Sequence, residues 1–337
     1  MDFERNMGIQ QGAGAAVAFL AAETVFMTAA NELGMLKLPV LAGALAFAAG
    51  MLTLYDAALK RLPAADHRSR WNALTASGML LLTGWFYWGI AELWHEIMGE
   101  GFVFPLYTLL PLSLLLFAGY RGEKAVMRCA PLLCFLVLLA VVFDTLFLSS
   151  HIEATVPSWV IAENGEVLKG MAELSLCLLA PGAIFLSCRR DLGRQRFKAA
   201  GVRGMAAAAG YMVLQTIRDL LLFGDLTALE EYPILRTLKS VELGVGVSRL
   251  EFFGLCVLSM AVFAGIMLGF AGLCRLAKDF IGKESRIIPG FFAICIYCEC
   301  LLLPMAGKGM AYIIAAIGLV LLLAGSLLSG VATGKEE

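Results

Sequence analysis

The sequence predicts an all-α integral membrane protein of about ten transmembrane helices, arranged as a five-plus-five inverted repeat of the transporter type. Three observations carry that prediction. The chain is 60% hydrophobic and only 16% charged, with a mean hydropathy of +0.82, far from the balance of a soluble domain. Its apolar segments are continuous runs of Leu, Ala and Val rather than alternating strands, and in hydrocarbon only helices or closed barrels satisfy the backbone. Their number divides into two odd halves, so the second half starts on the opposite side of the bilayer from the first.

Segments of membrane length lie at roughly 9–31, 36–59, 72–97, 102–120, 129–150, 168–188, 200–224, 249–277, 287–304 and 309–331. The first carries Glu23 and Thr24 with no glycine pair beside them, and the third carries Trp85, Trp88, Glu92 and His95 on one stripe. The fifth carries Asp144. The sixth holds Glu173 and then Pro181-Gly182, where a missing N–H and a steric clash predict an interruption of the helix. In the seventh, Tyr211, Gln215, Arg218 and Asp219 share a stripe that must face protein or water. Arg218 is expected to pair with a carboxylate near Asp219, or with Glu173 or Glu251. The eighth opens with Arg249-Leu250-Glu251, and the ninth carries Glu299 among Cys295, Cys298 and Cys300. No soluble domain or long linker separates folding units, so residues 1–337 form one membrane domain, with repeat one at about 9–150 and repeat two at about 168–331. Two longer connections, 151–167 with Pro157 and Trp159, and 225–248 with Tyr232, Leu235, Leu238, Val241 and Leu243 at helical spacing, are candidate lids.

Short connections set the orientation. With the N-terminus cytoplasmic, nineteen of the twenty-six Lys and Arg residues lie on inner segments and six on outer ones (Lys37, Lys169, Arg236, Lys239, Arg249 and Lys308), leaving Arg218 within a span. Both termini are therefore expected inside. The first span lacks the charged start and cleavage site of a signal peptide and is expected to be retained.

The net charge of −1 and the topological role of the basic loops predict no nucleic-acid partner. His67, His95 and His151 sit in loops or at span ends, and no nucleophile–base arrangement or phosphate loop is present, so an enzyme is not expected. No cofactor is implied. The cysteine trio occupies one apolar helix without a nearby histidine, which favours packing over metal binding. The informative polar residues are instead Glu23, Glu92, Asp144, Glu173, Asp219, Glu251 and Glu299, all in the outer halves of their spans. A carboxylate there costs about 2.5–3.5 kcal/mol on insertion scales. Together they predict an acidic vestibule for an ammonium group or a cation.

The segment Tyr232-Pro233-Ile234-Leu235, then Leu243-Gly244 and Ser248-Arg249-Leu250-Glu251, resembles the corresponding stretch of the spore germination permeases, the B subunits of germinant receptors. Gly119-Tyr120-Arg121-Gly122-Glu123 with Arg128 and Pro131, and Glu173 followed by Pro181, carry the same resemblance. That family resembles the amino acid/polyamine/organocation transporters. The resemblance implies sensing of an amino acid or similar nutrient in the spore inner membrane, beside an A subunit and a lipoprotein C subunit. The alanine-rich Ala21–Gly34 stretch departs from the glycine-containing, proline-terminated segment usual in the family. The ligand is expected between the first, third, sixth and eighth spans, on Glu23, Thr24, Tyr87, Trp88, Glu173, Cys177, Pro181 and Ser259. Gly182, Arg218, Asp219, Arg249 and Glu251 are expected to support or couple the site. A secondary transporter of amino acids or cations and a non-binding assembly scaffold are the alternatives.

Overall fold

The computed structural model describes residues 2–61, 71–98, 104–148, 164–187, 194–223, 250–281 and 287–333, and among them the fold is entirely helical. The helices are α1 (Asp2–Leu20), α2 (Glu23–Thr28), α3 (Lys37–Arg61), α4 (Trp71–Met98), α5 (Phe104–Arg121), α6 (Glu123–Leu148), α7 (Asn164–Ser187), α8 (Arg194–Phe223), α9 (Leu250–Ile281), α10 (Ile287–Ala306) and α11 (Lys308–Thr333). The predicted segment at 9–31 is divided between α1 and α2, and each of the other long helices overlaps one predicted apolar segment. By length and composition alone, Lys37–Lys60, Asn164–Ser187, Cys256–Ile281, Ile287–Ala306 and Lys308–Ser329 are apolar enough to cross a membrane. The remaining long helices include α4 with its Glu92 and α8 with its Gln215, Arg218 and Asp219, residues that need protein around them.

Pairing between helices is reciprocal. If α1, α3, α4, α5 and α6 are exchanged with α7, α8, α9, α10 and α11, the extensive α1–α8 packing becomes the extensive α7–α3 packing. In the same way α4–α11 becomes α9–α6, α4–α10 becomes α9–α5, and α1–α6 becomes α7–α11. Reciprocal packing of this kind is what two structural repeats packed on one another would produce. Trp85, Phe86, Phe19, Phe26, Phe185 and Phe270 are buried between the helices, while Phe47, Leu54, Phe117, Leu132, Phe135 and Ile294 point outward. An apolar exterior of this extent suits a lipid environment.

The interruption expected at Pro181-Gly182 is not there: α7 runs unbroken through both residues. Pro181 still leaves the Cys177 carbonyl without its helical donor, a loss that surrounding helices tolerate in membrane proteins. Gly182 instead serves packing, since a Cβ on it would lie 2.4 Å from Leu52 Cδ1 of α3. The break lies in the first helix. At Ala21 and Ala22 the ladder tightens: Ala21 N–H is shared between the Val17 and Ala18 carbonyls at 3.2 Å each, and Ala22 N–H donates to Phe19 O at 3.2 Å. Val25 and Phe26 then restart the ladder on Ala22 O. Beyond α2 the chain turns extended at Ala29 and left-handed at Ala30, where φ is 57°. A left-handed residue other than glycine costs about 1–2 kcal/mol, so tertiary contacts must hold it. The 3-10 turn Asn31–Leu36 follows, and Gly34 at φ 51°, ψ −125° occupies a region open to glycine alone.

The orientation has a direct check. Single cysteines at Arg194 and Ala162, in a background without accessible cysteines, should label from opposite faces of the membrane, the former from the cytoplasm. Labelling from one face would overturn the ten-span topology.

Candidate ligand site at the interrupted first helix

Glu23 is the first residue of α2, directly after the interruption, and is fully buried. Among the described residues neither of its carboxylate oxygens has a hydrogen-bond partner. The charged groups whose fields reach it are Lys37, Asp219 and Arg218. Lys37 opens α3, is buried, donates to Asn31 Oδ1 at 2.6 Å and stands 4.9 Å above the Phe26 ring. Arg218 on α8 forks through Nε and Nη2 onto Asp219 Oδ1, at 3.2 and 3.0 Å. From α7, Glu173 Oε2 accepts from the backbone N–H of the strained Ala30 at 3.2 Å, and the buried Cys177 lies one turn further along the same face. The interrupted first helix, the start of α3, the middle of α7 and the polar stripe of α8 thus meet at one place.

Several polar atoms there are left over once these contacts are made. Among the described residues both Glu23 oxygens are buried without hydrogen-bond partners, and so is Gln215 Oε1, one turn before Asp219 on α8; Ser259 Oγ on α9 is likewise buried and unpartnered, with no contact that brings it to Glu23. Buried polar atoms of this kind are uncommon and costly. Glycine brings α9 to the break: a Cβ on Gly265 would lie 2.4 Å from Val17 O and 2.7 Å from Ala21 Cβ.

The expected residues divide accordingly. Glu23, Glu173, Cys177, Arg218 and Asp219 converge, with Ser259 six residues from Gly265 on α9. Pro181 and Gly182 are buried further along α7. Trp88 approaches α2 from its other side: its Nε1 donates to Glu92 at 3.0 Å, and with Val25, Thr28, Gly89, Glu92, Lys308 and Tyr312 it encloses a void of about 20 Å³, room for one water. Tyr87 faces away, donating to the Thr108 carbonyl of α5 and packing edge-on to Phe263 of α9. The side chains of Thr24, Asp144 and Glu251, and Arg249 as a whole, lie outside the described residues. The acidic vestibule is also divided, because Glu299 of α10 presses its carboxylate onto the backbone of α4, where a Cβ on Gly84 would lie 2.1 Å from Oε2.

Arg218 finds its partner in the adjacent Asp219, while Glu173 is engaged by Ala30. A double-mutant cycle on membrane abundance should therefore show coupling of about 0.5–3 kcal/mol between Arg218→Ala and Asp219→Ala, and additivity between Arg218→Ala and Glu173→Ala. The reverse pattern would place the guanidinium elsewhere. Lys37, counted with the outer connections, and Asn31, at the end of the first predicted segment, are the members that the sequence did not mark as site residues. The signal available was a lysine at the very start of a membrane-length helix, joined to the preceding helix by a connection too short to carry it far from hydrocarbon.

A helical bundle whose first helix is broken beside buried, oppositely charged side chains is a membrane protein of the transporter type. Within that class, residues 101–319 match the spore germination permease family, described as spore germination protein, and the chain belongs to that family. No curated protein matches the chain. The matched region contains the α7, α8 and α9 side of the site, while the interrupted helix and Lys37 precede it.

The motif Gly119–Glu123 falls in the matched region and has a structural role. A Cβ on Gly119 would lie 2.8 Å from Phe270 and from Pro289, and Gly122 turns α5 into α6 at φ 78°. Arg275 of α9 donates to Glu123 at 2.9 Å and to the Ser187 carbonyl of α7 at 3.3 Å, tying three helix ends together. The motif marks architecture rather than ligand contact.

Proposed function

We propose that this chain is the permease-like subunit of a germinant receptor, that it senses a small amino acid or similar nutrient in the spore inner membrane, and that it works beside an A subunit and a lipoprotein C subunit with both termini cytoplasmic. Glu23 carries the reading: a fully buried carboxylate with no hydrogen-bond partner among the described residues, at the interruption of a helix, matches a ligand ammonium group. Lys37 supplies the nearby positive charge for a carboxylate on the same ligand. Asn31, Gln215 and Ser259 add hydrogen-bonding capacity, and Glu173 couples the site to the chain direction at Ala30. Ligand binding that draws on Glu173 would compete with its hold on the Ala30 N–H, so occupancy and the geometry of the 29–36 connection are linked.

The test is reconstitution of the purified chain in proteoliposomes with a panel of radiolabelled amino acids. Saturable binding without flux supports the receptor. Flux in the absence of partner subunits supports a secondary transporter, and neither binding nor flux supports a scaffold. Co-purification with the two partner subunits from spores would separately establish the assembly.

A further inference from the structure

One acid deep in the bundle takes no part in the Glu23 site. Glu299 is the single charged residue of α10, a helix apolar enough to cross a membrane. It stands 12 residues beyond Ile287 and seven before Ala306, about 18 Å and about 10 Å along the axis, distances that a glutamate side chain does not span. The Cα–Cβ bonds of a helix tilt toward its N-terminus, so this side chain starts away from the nearer end. One turn to either side, Ile296 and Leu303 are buried and Leu302 is 62% exposed, which sets Glu299 at the edge of the apolar exterior.

Gly84 of α4 makes room for it. A Cβ on Gly84 would collide with the carboxyl carbon and both oxygens of Glu299, so only glycine leaves this cradle open. The cradle returns no donor. Oε1 is buried without a hydrogen-bond partner among the described residues, α4 runs unbroken through Gly84 with its amides in the helical ladder, and the adjacent Thr83 hydroxyl donates to the Met79 carbonyl at 2.6 Å. Nor does a cation stand nearby. The thiols of Cys295 and Cys300 lie within the field of Glu299, and Cys300 lies in turn within that of Glu92, a second acid. Among the described cations on helices packed against α10, His95 is in the last turn of α4, Arg121 ends α5, Arg275 and Lys278 lie in the last two turns of α9, and Lys308 opens α11. The acids of those helices, Glu92 and Glu96 on α4 and Asp279 on α9, could only oppose a second negative charge.

We propose that Glu299, cradled on Gly84 at the seam of α4 and α10, is a second binding site and that its ligand is a proton. A carboxylate at this depth costs about 2.5–3.5 kcal/mol on the lenient insertion scale, whereas the acid form buries no charge. A metal ion is the poorer occupant. Hard cations take about six oxygen ligands or more, and among the described residues no group of three His, Cys, Asp or Glu side chains is placed to hold one. A proton needs a single carboxyl oxygen. Because the cradle suits the neutral acid and not the anion, release of the proton and the seating of α10 on α4 form one equilibrium. The site is independent of the germination reading, since it needs only a bilayer.

The experiment treats the full wild-type chain in proteoliposomes with dicyclohexylcarbodiimide, a membrane-soluble reagent, and maps the products by mass spectrometry. The reagent adds to a carboxylic acid, its nitrogen taking the proton and its central carbon the carboxyl oxygen, and the adduct rearranges to a stable acylurea. In choline chloride at neutral pH, Glu299 should carry this label. A water-soluble carbodiimide with a glycine ester as trapping amine should instead modify the exposed Glu166 and spare Glu299. Label on Glu299 should fall as pH rises, by about tenfold per unit once the acid form is the minority, and should be unchanged when sodium replaces choline. No variant has to fold for these comparisons. Absence of label on Glu299, or label that does not vary over the pH range in which the chain stays folded, overturns the proposal. Protection by sodium overturns it as well, by assigning the carboxylate to a metal cation.

Discussion

Replacing Glu23 with glutamine should abolish measurable ligand binding while leaving the protein at least as stable as wild type. The two halves of this expectation have one cause. A carboxylate buried at 0% exposure without a hydrogen-bond partner among the described residues is a burden on the empty protein, and glutamine of the same shape removes the charge that must be desolvated. For the ligand the sign reverses, because an ammonium group entering a site without its counter-charge loses its partner and still sheds its water. Truncating one member of a buried charge pair costs about 2–5 kcal/mol, which is roughly 30-fold to several-thousand-fold in affinity. A binding isotherm in proteoliposomes, read beside the thermal midpoint of the same preparation, separates the effects. Wild-type affinity in Glu23→Gln would remove this residue from the site.

Gly265→Val should prevent accumulation of folded protein in the membrane. A Cβ at this position would sit 2.4 Å from the Val17 carbonyl and 3.2 Å from the Ala21 nitrogen, and backbone cannot rotate aside as a flexible side chain can. Overpacking against side chains costs about 1–3 kcal/mol, and a backbone obstacle belongs above that range. Even 2 kcal/mol changes the folded-to-unfolded ratio about thirtyfold. Gly210→Val is the matched control, since a Cβ there meets nothing within 4 Å. Fluorescence-detected size-exclusion of tagged variants reads both, and equal monodisperse peaks would show that α9 does not seat against the break.

The helices were legible because crossing hydrocarbon constrains each segment separately. Length and apolarity decide it, so the apolar run at 72–97 becomes α4 at Trp71–Met98 and the run at 287–304 becomes α10 at Ile287–Ala306. Buried charge was legible for the same reason: Glu23, Glu173 and Asp219 stand out wherever their helices pack, because hydrocarbon tolerates them nowhere else.

The site's assembly was decided by contacts distant in the chain. Proline at 181 is a strong local signal for a break, yet α7 continues through it, whereas Ala21-Ala22 carries no local signal and marks the interruption. Gly265 admits α9 against that turn, and Glu173 holds the Ala30 N–H of a left-handed residue from 143 positions away. Lys37 shows the same division: as one letter it belongs to a connection, and only the fold of α2 back toward α3 sets it above Phe26 within the field of Glu23. Composition alone determined that this chain spans a membrane as helices and where its costly charges lie. Which charges meet, and which helix breaks to receive them, depended on tertiary packing, because a backbone gives up its hydrogen bonds only where neighbours in space hold it open.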